Sequence, residues 1–342
     1  MVKVAHIYAS NAKSNSGDFM IGIAYKKYFE EVILDGKKCS FINLDCRNKN
    51  TFNDKNIQKL NNFDYILVGG GGLILPDSAP NNISCWQWNI SKNCINKITK
   101  PIYVLSIGYN LFFNQNMNMT SRANNTENKN RMNIFKDNII TLIKKTKIFS
   151  MRHNKDVDSV LKIIGDEYKN SISYEKCATV WYVNKYWKPK FIKLLQKFIA
   201  IEIKDDREWR RYYKIGKKRY YNELKKVVLY LIKNNRKVLY LSHDGSKNFY
   251  RYLRQNKIVI PLLDNSCANE GKILQNYSKI HTILCSAGHS QMISNGCGIK
   301  TISLVSHPKI RNYCDDISDN NFVEINKLTN DGEVYNKIVE LL

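Results

Sequence analysis

The alternation of apolar runs with amphipathic stretches constrains this chain more than any other feature. Residues 2–8 (VKVAHIY) read as a strand, and a Gly/Ser/Asn turn leads into a helix from Asp18 to about residue 34. Further strand-length runs fall at 39–44, 65–70, 102–108 and 147–152, with helical segments between them. A βαβα rhythm of this kind predicts a parallel sheet covered by helices on both faces. The rhythm then restarts. Strands are expected at 198–203, 237–242, 257–261, 281–286 and 300–306, and helices at 220–233, 246–255, 270–279 and 308–317. KYWKP (185–189) reads as a linker, because Pro189 breaks a continuing helix. The expectation is an α/β chain of two Rossmann-like domains, 1–187 and 188–342. A closing helix over 333–342 is placed where it can cross back onto the first domain.

The 342 residues suit two domains better than one, and 43% hydrophobic content excludes a disordered chain. The start, MVKVAHIYAS, lacks a signal-peptide apolar core, and no window approaches the roughly 18 apolar residues of a membrane span. A cytoplasmic protein is expected. The nine cysteines form no C-x-x-C pair and several lie in apolar runs, so buried free thiols are expected and no metal site. Lys and Arg number 54 against 30 Asp and Glu, a net charge of +24. That excess suits an anionic ligand or membrane surface, but Lys-rich, Asn-rich composition alone produces much of it. The densest basic run, 204–219 (KDDREWRRYYKIGKKR), reads as a mobile, solvated helix-loop, and no nucleic-acid partner is expected.

Open α/β sheets bind ligands beyond the carboxyl ends of their strands, so residues there are the functional candidates. A two-domain chain adds an expected interdomain cleft. Asn15-Ser-Gly17-Asp18 follows the first strand; the turn can hold an anion, or Asp18 can simply cap the helix. Gly69-Gly70-Gly71-Gly72 follows an apolar strand, where bare backbone can approach a phosphate or carboxylate. It matches neither the P-loop nor the dinucleotide fingerprint. Arg152 ends another strand and could fork onto an anion, or stand on the surface. The richest stretch is CSAGHSQMI (285–293), followed by NGCG (295–298) and SLVSHPK (303–309). There His289 stands near a helix start, whose positive end favours the neutral imidazole of a base, and His307 and Lys309 reach the same edge.

Taken in order, these motifs resemble the polysaccharide pyruvyl transferase family. The matching segments are N-x-G-D at Asn15–Asp18, YILVGGGGL at 65–73, PIYVLSIG at 101–108, S-x-R ending at Arg152, and Gly288 through Lys309. The resemblance implies a GT-B-like arrangement of the two domains. It also implies transfer of the enolpyruvyl group of phosphoenolpyruvate onto sugar hydroxyls as a ketal, in glycan assembly, with no cofactor beyond that donor. His289 would be catalytic; Arg152, Gly288, His307, Lys309, Gly70 and Gly71 would hold the donor; Asn15, Gly17, Asp18 and Gln291 would serve the acceptor or its loop. The acceptor would be a sugar or oligosaccharide, lipid- or nucleotide-linked, with peripheral membrane contact allowed. One departure stands out: Ala287 occupies the place of a family arginine. Either Arg152, Arg311 or Lys309 substitutes for it, or the donor differs, or activity is lost.

Two rival readings share the architecture. A nucleotide-sugar-dependent GT-B glycosyltransferase would need an acid near the second domain's strand ends to grip a ribose, and Asp244 and Asp264 are available. A catalytically inactive relative would use the basic surface to bind a polyanion.

Overall fold

A computed structural model describes residues 1–11, 15–120, 130–191 and 195–342. The chain divides into two compact units. The first comprises 1–12 and 21–181; the second comprises 182–342 together with the start of the first helix, up to Met20. Each is a Rossmann-like α/β unit, as the rhythm of the sequence predicts.

In the first unit, six parallel strands form one sheet: β1 (Val2–Tyr8), β2 (Cys39–Asp45), β3 (Tyr65–Ile74), β4 (Ile102–Tyr109), β5 (Thr146–Met151) and β6 (Ser173–Tyr174). Their order is β2-β1-β3-β4-β5-β6. The connections include α1 (Ser16–Tyr28), α2 (Lys92–Lys97), α3 (Asn130–Lys145), α4 (Asn154–Ile164) and α5 (Ala178–Tyr182). β3 is longer than expected. It runs through all four glycines, and three of them lie where a side chain would not fit. Gly69 has φ +144° and faces the Leu105 carbonyl of β4; Gly70 packs on the ring of Tyr25; a side chain at Gly72 would strike Asn110. The core of this unit is mainly aliphatic and rich in isoleucine, with Trp86, Trp88 and Phe52 fully buried within it.

The second unit repeats the architecture with β7 (Phe198–Glu202), β8 (Val238–Ser242), β9 (Leu262–Asp264), β10 (Ile280–Cys285), β11 (Lys300–Leu304) and β12 (Phe322–Val323). All pairings are parallel, in the order β12-β11-β10-β7-β8-β9. This is the 3-2-1-4-5-6 order of dinucleotide-binding sheets. Its helices are α6 (Glu208–Arg211), α7 (Lys217–Lys233), α8 (Asn248–Gln255), α9 (Glu270–Tyr277), α10 (Gly288–Cys297), α11 (Pro308–Asp316) and α12 (Glu333–Leu341). α7 buries Tyr220, Leu224, Val227, Val228 and Leu231, the three-and-four spacing of a helix stripe turned to a core. α12 packs on α7 within this unit.

Three local expectations need correction. The strand expected at 257–261 forms later, at Leu262–Asp264; Ile258 and Ile260 are buried in the approach to it rather than in the ladder. The linker expected at 185–189 is helical, and the buried Trp187 donates its indole N–H to Glu270 over 2.9 Å. The basic run 204–219, expected as a solvated helix-loop, is solvated only in part: Lys214, Lys217 and Lys218 are exposed, while Arg211 and Tyr212 are each 1% exposed.

The glycines of β3 yield a first prediction. Gly69→Ala should cost about 1–3 kcal/mol for the backbone conformation alone, with the Leu105 contact added to that. Gly36→Ala, at φ +81° with nothing within 4 Å of a new methyl, is the control and should cost about 1–2 kcal/mol. Urea unfolding of both variants checks this; equal losses would mean that the packing against β4 is irrelevant.

Candidate functional site

In each sheet the strand order reverses at one point, the place where open α/β sheets bind ligands beyond the carboxyl ends of their strands. In the second unit that point lies between β7 and β10, where Glu202 is the register partner of Cys285. The chain leaves β10 through Ser286 and Ala287 into α10, with Ala287 as N-cap. One Glu202 carboxylate oxygen accepts the N–H groups of Ser286 (3.0 Å) and Ala287 (2.9 Å). Its other oxygen is buried without a partner. Burial pushes the Glu202 pKa up to about 7, against the opposing pull of Lys204, the two N–H groups and Arg211. Position 287 is therefore a buried helix cap, 5% exposed, whose backbone is committed to Glu202.

The loop after β7 carries the charge of this edge. Asp206 accepts from Arg211 at 2.8 and 3.1 Å, lies 3.3 Å from Arg207 and 4.0 Å from Lys204, and feels the charge of Lys309. Burial raises the Asp206 pKa, but those four cations outweigh it and hold the carboxyl well below the usual range. Lys204 also pairs with Asp244. Arg207 takes a left-handed backbone (φ +49°), which a side chain adopts only under constraint. Asp205 caps α8 by accepting the N–H groups of Lys247 (2.6 Å) and Asn248 (2.8 Å). Lys204, Arg207, Arg211 and Lys309 thus gather around Asp206 and Asp244 beside the start of a ten-residue helix, an arrangement whose chemistry suits an anion.

Most of the sequence candidates lie in this unit. Gly288 opens α10, with the Lys309 side chain passing 3.5 Å from where a Cβ would stand. His289 is half-buried, and the backbone of Gly17 lies against its Nδ1 edge. Asn15 and Asp18 bond to each other (2.9 Å) and shape the turn that presents Gly17. His307 caps α11, its Nδ1 accepting from the Lys309 N–H over 3.2 Å. Gln291 is buried and its amide N–H groups go to Ser303, the Ile310 carbonyl and Cys314. Gly70, Gly71 and Arg152 belong to the first unit. Arg152 is 3% exposed, donates from Nε to His153 over 3.2 Å, and has an Nη2 without a partner, against Gly108. The two acids expected to grip a ribose are engaged, Asp244 by Lys204 and Asp264 by Lys247 at 2.5 Å.

Sequence reading missed Glu202, Asp206, Arg211 and His243. The signal was present: Glu202 closes FIAIE, and His243 follows VLYLS, each a polar residue at the carboxyl end of an apolar strand. Among the described residues no group of three or more His, Cys, Asp or Glu is placed to hold a metal, and no helix is long and apolar enough to cross a membrane. All nine cysteines are free thiols, seven of them buried.

No protein-family model matches the sequence, and no curated protein matches it. Solved structures do match in fold. A putative UDP-N-acetylglucosamine 2-epimerase from Listeria monocytogenes aligns at TM-score 0.58 and 11% identity, over 99% of this chain and 87% of its own. The UDP-GlcNAc 2-epimerase of Methanocaldococcus jannaschii, in complex with UDP-GlcNAc and UDP, aligns at 0.55 and 12%, over 100% and 92%. MnaA of S. aureus, in complex with UDP, aligns at 0.54 and 14%, over 100% and 88%. These likenesses establish the fold class, two Rossmann-like domains of the GT-B-like type. They also correct the sequence reading. The chain is not placed in the polysaccharide pyruvyl transferase family: no model of that family matches, and the structures that share its fold over nearly its whole length include a UDP-GlcNAc 2-epimerase, a putative one and a UDP complex of MnaA. The phosphoenolpyruvate-dependent ketal transfer drawn from that resemblance falls with it.

Glu202 supplies a second prediction. Its pKa in the folded protein lies above the ordinary 4.5, so the fold holds this proton more tightly than the unfolded chain does. The stability it contributes is complete below pH 4.5 and declines as pH rises to about 7, by up to about 3 kcal/mol. Glu202→Gln keeps an oxygen for both N–H groups and has no proton to lose. Its stability relative to the parent should therefore rise between pH 4.5 and 7; parallel urea midpoints across that window would contradict the assignment.

Proposed function

We propose that this protein is a carbohydrate-active enzyme that takes a UDP-linked sugar and seats its diphosphate at the β7/β10 edge of the second unit. The observation that carries the reading is the cluster of four cations, Lys204, Arg207, Arg211 and Lys309, around the Asp206 carboxylate, with Asp244 on Lys204, beside the N-terminus of α10. A diphosphate carries negative charge that such a gathering of cations attracts, and the helix start adds N–H donors and the positive end of its dipole. The structures of matching fold support the same chemistry, since two of them hold UDP and one also holds UDP-GlcNAc.

The geometry suits reactions in which the bond between sugar and diphosphate breaks. Negative charge grows on the departing diphosphate, and preplaced cations stabilise it without reorganising. His289, partly buried at the first turn of α10, is the residue we assign to carry a proton for the sugar. Glycosyl transfer uses such a step and would add a sugar acceptor as partner; epimerisation needs a proton removed from a sugar carbon and returned, and the structures of matching fold favour that reaction class.

Calorimetry with UDP, UDP-GlcNAc and phosphoenolpyruvate tests the reading. UDP and UDP-GlcNAc should bind and phosphoenolpyruvate should not. Lys309→Gln should weaken UDP by roughly ten- to a hundredfold, the worth of one charge-assisted contact. His289→Ala should bind UDP normally yet convert UDP-GlcNAc at least about a hundredfold more slowly, read by chromatography of the nucleotide products. Absence of UDP binding by the parent protein would overturn the proposal.

A further inference from the structure

His243 follows β8 directly at the carboxyl edge of the second sheet, and its ring is 1% exposed. Its neighbours decide which ring nitrogen holds the proton. Ser16, in the first turn of α1 and part of the second unit, donates its hydroxyl hydrogen to the His243 carbonyl oxygen over 2.5 Å. A serine has one such hydrogen, so its Oγ faces His243 Nδ1, 3.2 Å away, as an acceptor. Tyr277 gives its hydroxyl hydrogen to Ser290 over 3.2 Å, and its oxygen likewise faces Nδ1 as an acceptor, at 3.4 Å. Two acceptors on one nitrogen place the proton on Nδ1. Nε2 is then the bare nitrogen, and it is buried with no partner. Burial, helped by the charge of Lys204, pushes the pKa down to about 3, so the ring stays neutral and this lone pair stays available.

A buried acceptor left unmet forfeits the hydrogen bond that water would give it, and a fixed tautomer makes the shortfall permanent in the unliganded protein. The chemistry that meets it is a hydrogen-bond donor, and a nucleotide sugar is rich in hydroxyl donors. The carboxylates that sequence reading assigned to a ribose, Asp244 and Asp264, are held by lysines. The imidazole is placed at the same strand ends, with its ring centre 6.3 Å from that of His289. We propose that His243 accepts a hydrogen bond at Nε2 from a hydroxyl of the nucleotide sugar, and that Ser16 is the positioning residue that locks its tautomer. The proposal rests on the nucleotide-sugar reading of this edge. It also explains the Asn15–Asp18 turn, which holds Ser16 against the second sheet.

Selective ¹⁵N labelling of the six histidines in the full chain tests it, with His243 assigned by difference from His243→Gln. In the free protein, His243 should show the Nδ1–H tautomer and, with its pKa held near 3, no titration between about pH 5.5 and 8. In Ser16→Ala the two tautomers should mix. Saturating UDP-GlcNAc should shift the Nε2 resonance, and His243→Gln should bind it up to about tenfold more weakly. An Nε2–H tautomer, or titration near the ordinary histidine value of about 6.5, would overturn the lock. A static Nε2 resonance while other signals respond to UDP-GlcNAc would overturn the contact alone. No response from any signal would remove the nucleotide-sugar reading and the ligand contact together, leaving the tautomer measurement to judge Ser16.

Discussion

The second unit turns on one buried carboxylate. Glu202 ends β7 at the point where the chain connectivity reverses, and its oxygen takes the two N–H groups that lead from β10 into α10. A parallel sheet leaves the starts of its helices without internal partners for their N–H groups, and something must satisfy them. Here a side chain from the neighbouring strand does so. That bond sets where α10 begins, and with it the place of Gly288 and His289. Its cost is a carboxyl held at the edge of ionisation, surrounded by cations that keep the charged form within reach.

The cations themselves are held by a short acidic motif. In KDDREWRR the two aspartates act separately: Asp205 caps α8, while Asp206 clamps Arg211. Arg211 in turn reaches Ser306 on the loop after β11, so the charged seat is tied to two strand ends. A buried guanidinium is stable only with its hydrogen bonds met, and this one is matched to Asp206 and Ser306. The net +24 of the chain is therefore two things. Most of it is spread over exposed lysines, and a small part is concentrated where a folded loop gathers it.

Much of the fold was legible because parallel strands buried on both faces read as unbroken apolar runs. VKVAHIY, YILV and TILC announce β1, β3 and β10 without help from context. The misread pieces share a cause. The glycines of β3 look like a ligand loop, yet Tyr25 and Leu105, distant in sequence, are what forbid side chains there. The run 204–219 looks solvated because its charges are counted one by one, whereas in the fold several of them pair with one another. The family resemblance drew on the same local motifs, which any sheet of this topology places at its strand ends; it could not separate a shared architecture from a shared reaction.

Periodicity and strand polarity are local properties of a chain. From them alone follow the class of fold, its two-part repeat and the edge of each sheet where chemistry belongs. Which polar residues at that edge are available to act was settled only by the folded arrangement. Asp244, Asp264 and Gln291 read as open polar groups until their partners in the fold are seen. Glu202 and His243 are ordinary residues until burial and hydrogen bonding set their protonation. Burial and pairing are relations among residues far apart in the chain, and no local pattern carries them.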